Sequence, residues 1–420
     1  MAHVRVELNE EGVRKCEAEW WLANHLHHQE DGGGWVDGHF PKRDLPFLAK
    51  FFMGLGEDAT VRQPLELVHG MKEILSRLMD KYAVVPAGEG SKTSEGQVMS
   101  QVICKDIFER VEALFSKRIV DSEPIHRGLL NLKWIVHFAD GASVFVKQYN
   151  QRRHGKKLPF INMALSIQEA VRKQGIRCPM VYSFDGKRLL TSSKGEVFAV
   201  QEKMDGEVVA PGQATTEQMH SLGQEMGKLH KALKQIPPVE LAWKPDRSRL
   251  LQKWNKQMAL AQVRQPSERV MRLLHRQKQI LDRLDFSQFD RCRLGWTHWD
   301  CHFDNFLFEN KRVAAILDFD RMRYVYPDLD VARALLSGSV DGQRGLVRAK
   351  AAAFLGGYRE VVPGYSAERA ARALRLLWTK ESGWWITADI EERSANPRRF
   401  LVEIEWLQQH WLELDDFLGD

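Results

Sequence analysis

Three oxygen-bearing side chains in the C-terminal half have the types and spacing that phosphoryl transfer requires. Asp300 and Asn305 lie five residues apart, and Asp318 follows an apolar run at 314–317. The reaction needs a carboxylate that orients the attacking hydroxyl and accepts its proton, and oxygen ligands that hold Mg²⁺ on the phosphates. Mg²⁺ takes few protein ligands, so Asn305 and Asp318 form a sufficient set. The pattern predicts a phosphotransferase centre.

Each of these residues also has a plain structural explanation when it is taken alone. Asp300 and Asn305 are common turn residues, and Asp318 is suited to ending a strand. Their ordered combination, with His298 two residues before Asp300, is much harder to reach by chance. We therefore prefer the catalytic interpretation and count Asp300 and His298 as candidate catalytic residues.

A second group of candidates lies upstream, in a predicted hairpin. Residues 134–138 and 143–147 are rich in β-branched and aromatic residues, and Asp140-Gly141 between them is a strong turn signal. Lys147 ends the second strand, where its ammonium group would reach nucleotide phosphates as a point charge. A lone lysine in a strand is more often a solvated edge residue, but this one precedes the catalytic pattern in the expected order.

The segment before the hairpin contains Gly128 and Asn131 and is a candidate loop over the nucleotide phosphates. A single glycine, however, more often marks an ordinary turn. Short strands are predicted at 188–191 and 197–201, so this part of the chain is rich in strands.

The chain after residue 204 is predicted to be mostly helical. Thr215 and Gln218 have the T-x-x-Q spacing of a capping box at the start of a helix. Residues 86–97 have the composition of a linker. Apolar periodicity predicts further helices over 64–85, 100–118, 161–174, 250–284 and 366–418.

Together these motifs resemble those of the aminoglycoside phosphotransferase and choline kinase superfamily, the small-molecule relatives of protein kinases. The resemblance rests on the H-x-D-x-H-x-x-N loop from His298 to Asn305, on Ile316-Leu317-Asp318-Phe319-Asp320, and on Asp328-Leu329-Asp330. It is strongest over residues 120–340. Within the superfamily, the chain is most similar to spore-coat-type and stress-response-kinase-like members.

The resemblance implies an α+β, bilobal, protein-kinase-like fold. It places an antiparallel-sheet N-lobe that binds nucleotide at 99–203 and a mainly helical C-lobe, for catalysis and acceptor binding, at 204–420. Residues 1–98 lie largely outside it and form an N-terminal extension of unknown role.

The resemblance also assigns roles residue by residue. Asp300 would be the catalytic base, and Asn305 and Asp318 would be metal ligands, with Asp320 assisting a second metal ion. Lys147 would bind the α- and β-phosphates. These assignments imply ATP as the phosphate donor, with GTP as the alternative, and Mg²⁺ as the metal.

Three further positions follow from the same resemblance. Glu202 and Met204 would pair with adenine through their backbone groups. Glu169 is the only carboxylate in the helix expected to supply a partner for Lys147, but it lies near the end of that helix, so the pairing stays open. Relatives usually have glycine where this chain has Trp299.

We therefore expect an ATP-dependent kinase that acts on a hydroxyl group of a small molecule, such as an amino sugar, an amino alcohol or an antibiotic-like acceptor. The alternatives are a Ser/Thr protein kinase of the same fold and a non-catalytic nucleotide-binding or spore-coat-type structural protein. The intact Asp300, Asn305 and Asp318 argue against the last. Nothing in the sequence separates the first two.

Charge adds one hypothesis about the acceptor. The 61 Lys and Arg against 56 Asp and Glu give a net charge of +5, which does not by itself argue for nucleic-acid or membrane binding. The distribution is uneven: 244–283 is basic, whereas 401–420 contains no Lys or Arg. An acid-rich helical end would suit a cationic acceptor, although it could equally face water. The acids of this end are Glu403, Glu405, Glu413, Asp415, Asp416 and Asp420.

The cysteines and the N-terminal sequence predict the compartment. Five scattered cysteines without C-x-x-C spacing indicate reduced thiols in a cytoplasm rather than a disulfide framework or a zinc ribbon. The N-terminal sequence lacks the pattern of a signal peptide, and no window approaches the length of a spanning helix. We expect a cytoplasmic protein without nucleic-acid or membrane partners; the oligomeric state stays open.

Overall fold

A computed structural model of the chain describes residues 1–17, 19–22, 25–29, 32–82, 95–125, 131–341, 345–392 and 395–418. The chain divides into two units. The first comprises Met1–Val98 with Asp389–Pro397, and the second comprises Met99–Ala388 with Arg398–Asp420. No helix within the described ranges is both long enough and apolar enough to cross a bilayer.

The first unit is an antiparallel sheet with helices. Its main elements are β1 (Ala2–Leu8), α1 (Glu10–Glu17), β2 (Leu26–His28), β3 (Gly34–Phe40), α2 (Leu45–Gly54), β4 (Ala59–Gln63) and α3 (Leu65–Tyr82). The strand order is β2-β3-β1-β4. Val4 and Val6 are fully buried because alternate residues of a strand share one face. The strand–helix order and the pairing are those of a ferredoxin-like unit.

The second unit begins with a sheet-rich portion. Its elements are α4 (Glu95–Phe115), β5 (Ile119–Pro124), β6 (Lys133–Phe138), β7 (Ser143–Tyr149), α5 (Gln151–His154), α6 (Leu158–Lys173), β8 (Leu190–Thr191) and β9 (Val197–Glu202). The five strands pair in the order β5-β6-β7-β9-β8. Ile107 and Val111 of α4 are fully buried in one core with Val136 and Val146 of this sheet. Lys133 and Lys147 are opposite each other in the β6–β7 ladder.

A mostly helical portion follows. Its elements are β10 (Glu207–Val208), α7 (Thr216–Leu233), α8 (Arg247–Arg264), α9 (Glu268–Arg283), β11 (Gly295–Thr297), β12 (Phe306–Glu309), β13 (Arg312–Ile316), β14 (Arg323–Val325), α10 (Asp328–Ser339), β15 (Val340–Asp341), β16 (Gly345–Leu346), α11 (Arg348–Val361), α12 (Ala367–Trp385), α13 (Ala395–Gln409) and α14 (Leu414–Phe417). Both chemical patterns lie in its short strands and turns: the β11–β12 loop carries Asp300, and the turn after β13 carries Asp318.

The α+β class is confirmed, and several local predictions hold in detail. Gly141 has φ 84 in the hairpin turn. The capping box forms in both directions: the Gln218 N–H donates to Thr215 Oγ1 at 3.2 Å, and the Thr215 N–H donates to Gln218 Oε1 at 3.0 Å. The linker prediction for 86–97 lies outside the described residues up to 94, and residues 95–97 begin α4.

The region 250–284 is helical as predicted, with a break in it. The helical pattern over 250–284 is two helices, because Gln265 adopts a left-handed backbone conformation with φ 47 and ends α8. Pro266 follows, and the Ser267 side chain caps the new helix by accepting from the Val270 N–H at 3.4 Å. Apolar periodicity alone did not indicate this break.

Candidate active site

A buried ammonium group held by two carboxylates lies at the centre of the site. Lys147 lies near the end of β7, and its Nζ is 2.5 Å from Asp318 Oδ1 and 2.7 Å from Asp320 Oδ2. Burial alone would lower the pKa of Lys147, but the two carboxylates outweigh it and raise that pKa well above its ordinary value. The fold thus brings together groups that are 171 positions apart in the chain.

A second lysine, which the sequence analysis did not select, points to the same place. Lys133 Nζ lies 3.9 Å from Asp318 Oδ2, and its side chain is 16% exposed. Burial and the neighbouring charge of Lys147 lower the pKa of Lys133. The hairpin turn sets the register that pairs Lys133 with Lys147, so the predicted hairpin already contained the signal that would have found it.

The Asp300 carboxylate is surrounded by donors. Its Oδ1 lies 2.9 Å from Arg321 Nη1 and 3.2 Å from His302 Nε2. Burial would raise the pKa of Asp300, but the hydrogen bond from His302 and the charges of His302 and Arg321 hold it far below its ordinary range. The group is therefore ionised, which is the state that can accept a proton from a hydroxyl. Sequence reasoning missed Arg321.

Asn305 links the loop that carries Asp300 to the turn that carries Asp318. Its Nδ2 donates to the Asp300 carbonyl at 2.7 Å, which leaves the amide oxygen as the atom available for a metal ion. Its backbone carbonyl accepts from the Leu317 N–H at 2.8 Å. These bonds place Asn305 and Asp318 on adjoining segments.

His298, which the sequence analysis counts with the catalytic residues, is held by hydrogen bonds to Leu317 and Asp330, and its catalytic role stays a prediction. Its ring is fully buried, and Nε2 donates to the Leu317 carbonyl at 2.7 Å. Its backbone N–H donates to Asp330 at 2.6 Å, and the N–H of Trp299 donates to the same carboxylate at 2.9 Å. His298 and Asp330 therefore brace the loop from behind.

Trp299 has a backbone conformation that favours glycine, with φ 70. Such a conformation costs a bulky residue of the order of 1–2 kcal/mol. The Trp299 ring lies 4.1 Å from Lys380 Nζ, and its centroid is 6.2 Å from that of Trp243. The glycine usual in relatives is the residue that this backbone would favour, and the aromatic and cationic contacts offset its absence here.

The expected partner of Lys147 from α6 is engaged elsewhere. Glu169 Oε2 lies 2.6 Å from the guanidinium of Arg188. The acidic partners of Lys147 are instead Asp318 and Asp320. The position of Glu169 near the end of its helix explains the difference, because the side chain reaches the β8 side of the sheet.

Three other residues predicted to bind the nucleotide, Glu202, Met204 and Asn131, lie at or beside the ends of strands β9 and β6. Glu202 ends β9, and its carboxylate lies 2.9 Å from Arg172. Met204 follows it in the chain and is half-buried. Asn131 precedes β6, and its buried Oδ1 has no hydrogen-bond partner among the described groups. Gly128 lies outside the described residues.

Arginines pair with three of the acids at the C-terminal end. Glu403 pairs with Arg333 of α10 in the protein interior, and Arg333 also binds Glu381 of α12 at 2.6 Å. Two further pairs are Glu405 with Arg269 and Asp415 with Arg375 at 2.6 Å. These three carboxylates form ion pairs within the protein and are therefore less available to bind a ligand.

Comparisons with known proteins agree with this geometry. Residues 121–365 match the family model described as the phosphotransferase enzyme family. Residues 2–79 match a second model, described as the WCX domain. A homoserine kinase from Rhodopseudomonas palustris (strain BisB18) is 24% identical over 296 residues, which cover 67% of this chain and 85% of that protein.

Two solved structures show the same fold. An amicoumacin kinase in complex with AMP-PNP, Ca²⁺ and Ami is 16% identical, with a TM-score of 0.53 over 76% of this chain and 96% of that one. An aminoglycoside phosphotransferase from Alicyclobacillus acidocaldarius subsp. acidocaldarius DSM 446 is 15% identical, with a TM-score of 0.51 over 73% and 93% of the two chains. The fold and the site thus define a kinase with a protein-kinase-like architecture. This chain belongs to the phosphotransferase enzyme family, which confirms the superfamily expected from its motifs.

Proposed function

We propose that this protein is an ATP-dependent kinase that transfers the γ-phosphate to a hydroxyl group of a small molecule. The observation that carries the proposal is the convergence of Lys147, Asp318 and Asp320, with Asn305 joining the Asp318 turn to the loop of Asp300. The division of labour follows: residues 99–203 bind nucleotide, and residues 204–420 supply catalysis and the acceptor site.

The residues present suit a divalent metal ion. The carboxylates of Asp318 and Asp320 already converge on one cationic group, the Lys147 ammonium, and the Asn305 amide adds a neutral oxygen. Hard oxygen donors of this kind are those that Mg²⁺ prefers. When bound, Mg²⁺ would neutralise charge on the transferring phosphates. Lys147 and Lys133 would then neutralise phosphate oxygens from the N-lobe side.

The nucleotide base is assigned to the strand that ends at Glu202. The Glu202 N–H donates to the Met180 carbonyl at 2.8 Å, so the carbonyl of Glu202 and the backbone of Met204 are the groups proposed to meet adenine. Asn131 is proposed to face the phosphates through its unpartnered oxygen. Gly128 keeps the phosphate-binding role proposed from the sequence. Glu169 is left out of this set because it binds Arg188.

Catalysis follows from the position of Asp300. Its carboxylate orients the acceptor hydroxyl and accepts its proton as the new oxygen–phosphorus bond forms. The bond between the γ-phosphorus and the bridging oxygen of ATP breaks, and ADP leaves with that electron pair. His298 and Asp330 hold the loop in place through contacts that do not involve the reacting atoms.

Relatives favour a small-molecule acceptor over a protein. The homoserine kinase acts on an amino acid by its name, and the amicoumacin kinase structure contains Ami beside a nucleotide analogue. A Ser/Thr protein kinase remains the alternative that the same chemistry allows. A non-catalytic role is disfavoured because Asp300, Asn305 and Asp318 are all present.

The test is ADP release in the presence of Mg²⁺ and a panel of amino alcohols, amino sugars, hydroxy amino acids and antibiotics, with a protein substrate as control. We expect release above the basal rate with at least one small molecule and none with the protein. Equal rates of ADP release in wild type and Asp300→Ala for every compound would contradict the proposal.

A further inference from the structure

Two arginines follow the aspartates of the site, at Arg321 and Arg323. Arg321 ends the 3₁₀ turn that begins at Phe319, and Arg323 begins β14. Arg321 uses one donor on Asp300 Oδ1 at 2.9 Å, while 56% of its side chain is exposed. A guanidinium has five N–H donors in a planar fork, so it can bind a further anion beside Asp300.

Arg323 adds a second positive charge without an acidic partner. Its Nη1 donates to two backbone carbonyls, those of Met322 at 2.7 Å and Arg321 at 3.4 Å. No carboxylate of the described residues forms an ion pair with it. Its hydrogen bond to the Arg321 carbonyl places the Arg323 guanidinium beside the backbone of Arg321. Burial and the charge of Arg321 lower the pKa of Arg323.

A further cation lies on the C-lobe side of Asp300. Lys380 of α12 lies over the indole of Trp299, the residue before Asp300, and is 3.4 Å from Glu381 Oε1. Two of the acids that would have favoured a cationic acceptor, Glu403 and Glu405, are paired with arginines. A cationic acceptor would therefore meet fewer free carboxylates than the sequence suggested.

We propose that Arg321 and Arg323 bind an anionic group of the acceptor, a carboxylate or a phosphate, and so select hydroxylated acids. This inference rests on the kinase activity proposed above and replaces the cationic acceptor of the sequence analysis with its opposite. As Arg321 turns toward the acceptor's anion, it releases Oδ1 of Asp300 for the acceptor's hydroxyl. Binding of the acceptor's anion would thereby free the Asp300 carboxylate to accept the proton.

The test compares acceptors matched in skeleton and different in charge. We would assay L-homoserine against L-homoserine amide for the carboxylate, glycerol 3-phosphate against glycerol for the phosphate, and kanamycin as a polycation. We expect at least one acid to be favoured over its neutral match by about 10- to 100-fold in kcat/KM, the range of one or two charge-assisted bonds. The acid that is phosphorylated shows whether the two arginines bind a carboxylate or a phosphate.

The variants are Arg321→Gln and Arg323→Gln, with Arg291→Gln as the matched control. Arg291 is exposed and pairs with Glu368 at 3.6 Å. We expect KM for the acid to rise by about tenfold in each site variant, with the dissociation constant of Mg-ATP unchanged, and Arg321→Lys to recover part of the loss. The control should match wild type.

Two results would overturn the assignment: turnover of uncharged or cationic hydroxyl compounds only, or weaker Mg-ATP binding in the arginine variants. The second would place both guanidinium groups on the nucleotide. Failure of the kinase proposal itself is read separately, since ADP release would then not rise above the basal rate with any compound and would be equal in wild type and Asp300→Ala; the inference would fail with it.

Discussion

Lys133 and Lys147 stand opposite each other on neighbouring strands, and both ammonium groups approach the carboxylate of Asp318, at 3.9 and 2.5 Å. Asp320 balances the second positive charge at 2.7 Å from Lys147. The four charges cancel when no ligand is bound. A metal ion that takes the carboxylates would leave two cations for the phosphates, so both lysines belong to the proposed nucleotide site.

The two lysines should therefore contribute separately to ATP affinity. We expect Lys147→Met to weaken Mg-ATP binding by about 10- to 100-fold and Lys133→Met by about tenfold, because each removes a charge-assisted contact to phosphate. Calorimetric titration with ATP and adenosine is the measurement, and adenosine affinity should change little because adenosine carries no phosphate. Lys117→Met, a lysine that pairs with Asp140 outside the site, is the control. Unchanged ATP affinity in Lys133→Met would remove Lys133 from the site.

Asp300 should be needed for transfer but not for nucleotide binding. We expect Asp300→Ala to reduce turnover by about 100- to 10,000-fold, the range of a lost general base, with Mg-ATP affinity close to wild type. Asp304→Ala, on the same loop, removes an exposed carboxylate that pairs with Arg399 at 3.1 Å, and should keep most of the activity. Comparable losses in the two variants would point to damage of the loop rather than to loss of a proton acceptor.

The C-terminal helix α13 offers a stability test with an internal control. Glu403 is buried against Arg333, which keeps its second partner Glu381, so Glu403→Gln weakens one buried charge-assisted hydrogen bond and should cost about 1.5–3 kcal/mol. Glu405 pairs with the more exposed Arg269, so Glu405→Gln should cost no more than about 1 kcal/mol. Urea unfolding of both variants measures the difference. Equal costs would contradict the buried network.

Acid should weaken the same network in a defined pH range. Burial raises the pKa of Glu381, but the Arg333 charge outweighs it and lowers that pKa from 4.5 to about 2. Between these values the unfolded chain binds a proton that the folded chain does not, so stability falls as pH falls from 4.5 toward 2. We expect Glu381→Gln to be less stable near neutral pH and to have a shallower acid slope in urea titrations. A slope identical to wild type would contradict the assignment.

Local sequence patterns predicted the parts of the site that depend on neighbouring residues. Asp300 and Asn305 share one loop, and the Thr215 capping box needs only one helical turn, so spacing was sufficient for both. Glu169 and Arg321 depended on tertiary packing. A helix pattern does not say which strand Glu169 reaches, and nothing local indicates that Arg321 would turn back to Asp300.

The charge asymmetry shows the same limit. The acids of 401–420 were visible in the sequence, but their partners Arg333, Arg269 and Arg375 come from other helices. Only the folded chain reveals which carboxylates are already neutralised. Net charge along a sequence therefore gives the sign of a segment, but it does not show which of its carboxylates are free to meet a ligand.

The left-handed backbone of Trp299 bears on how this enzyme could change over evolutionary time. Few residues other than glycine, asparagine and aspartate adopt that conformation readily, so most single substitutions at position 299 keep the backbone cost and lose the indole's contacts. Neighbouring positions such as Arg321 have no such restriction. We therefore expect the acceptor preference to change first through substitutions at positions such as Arg321. Position 299, beside the catalytic aspartate, should change late.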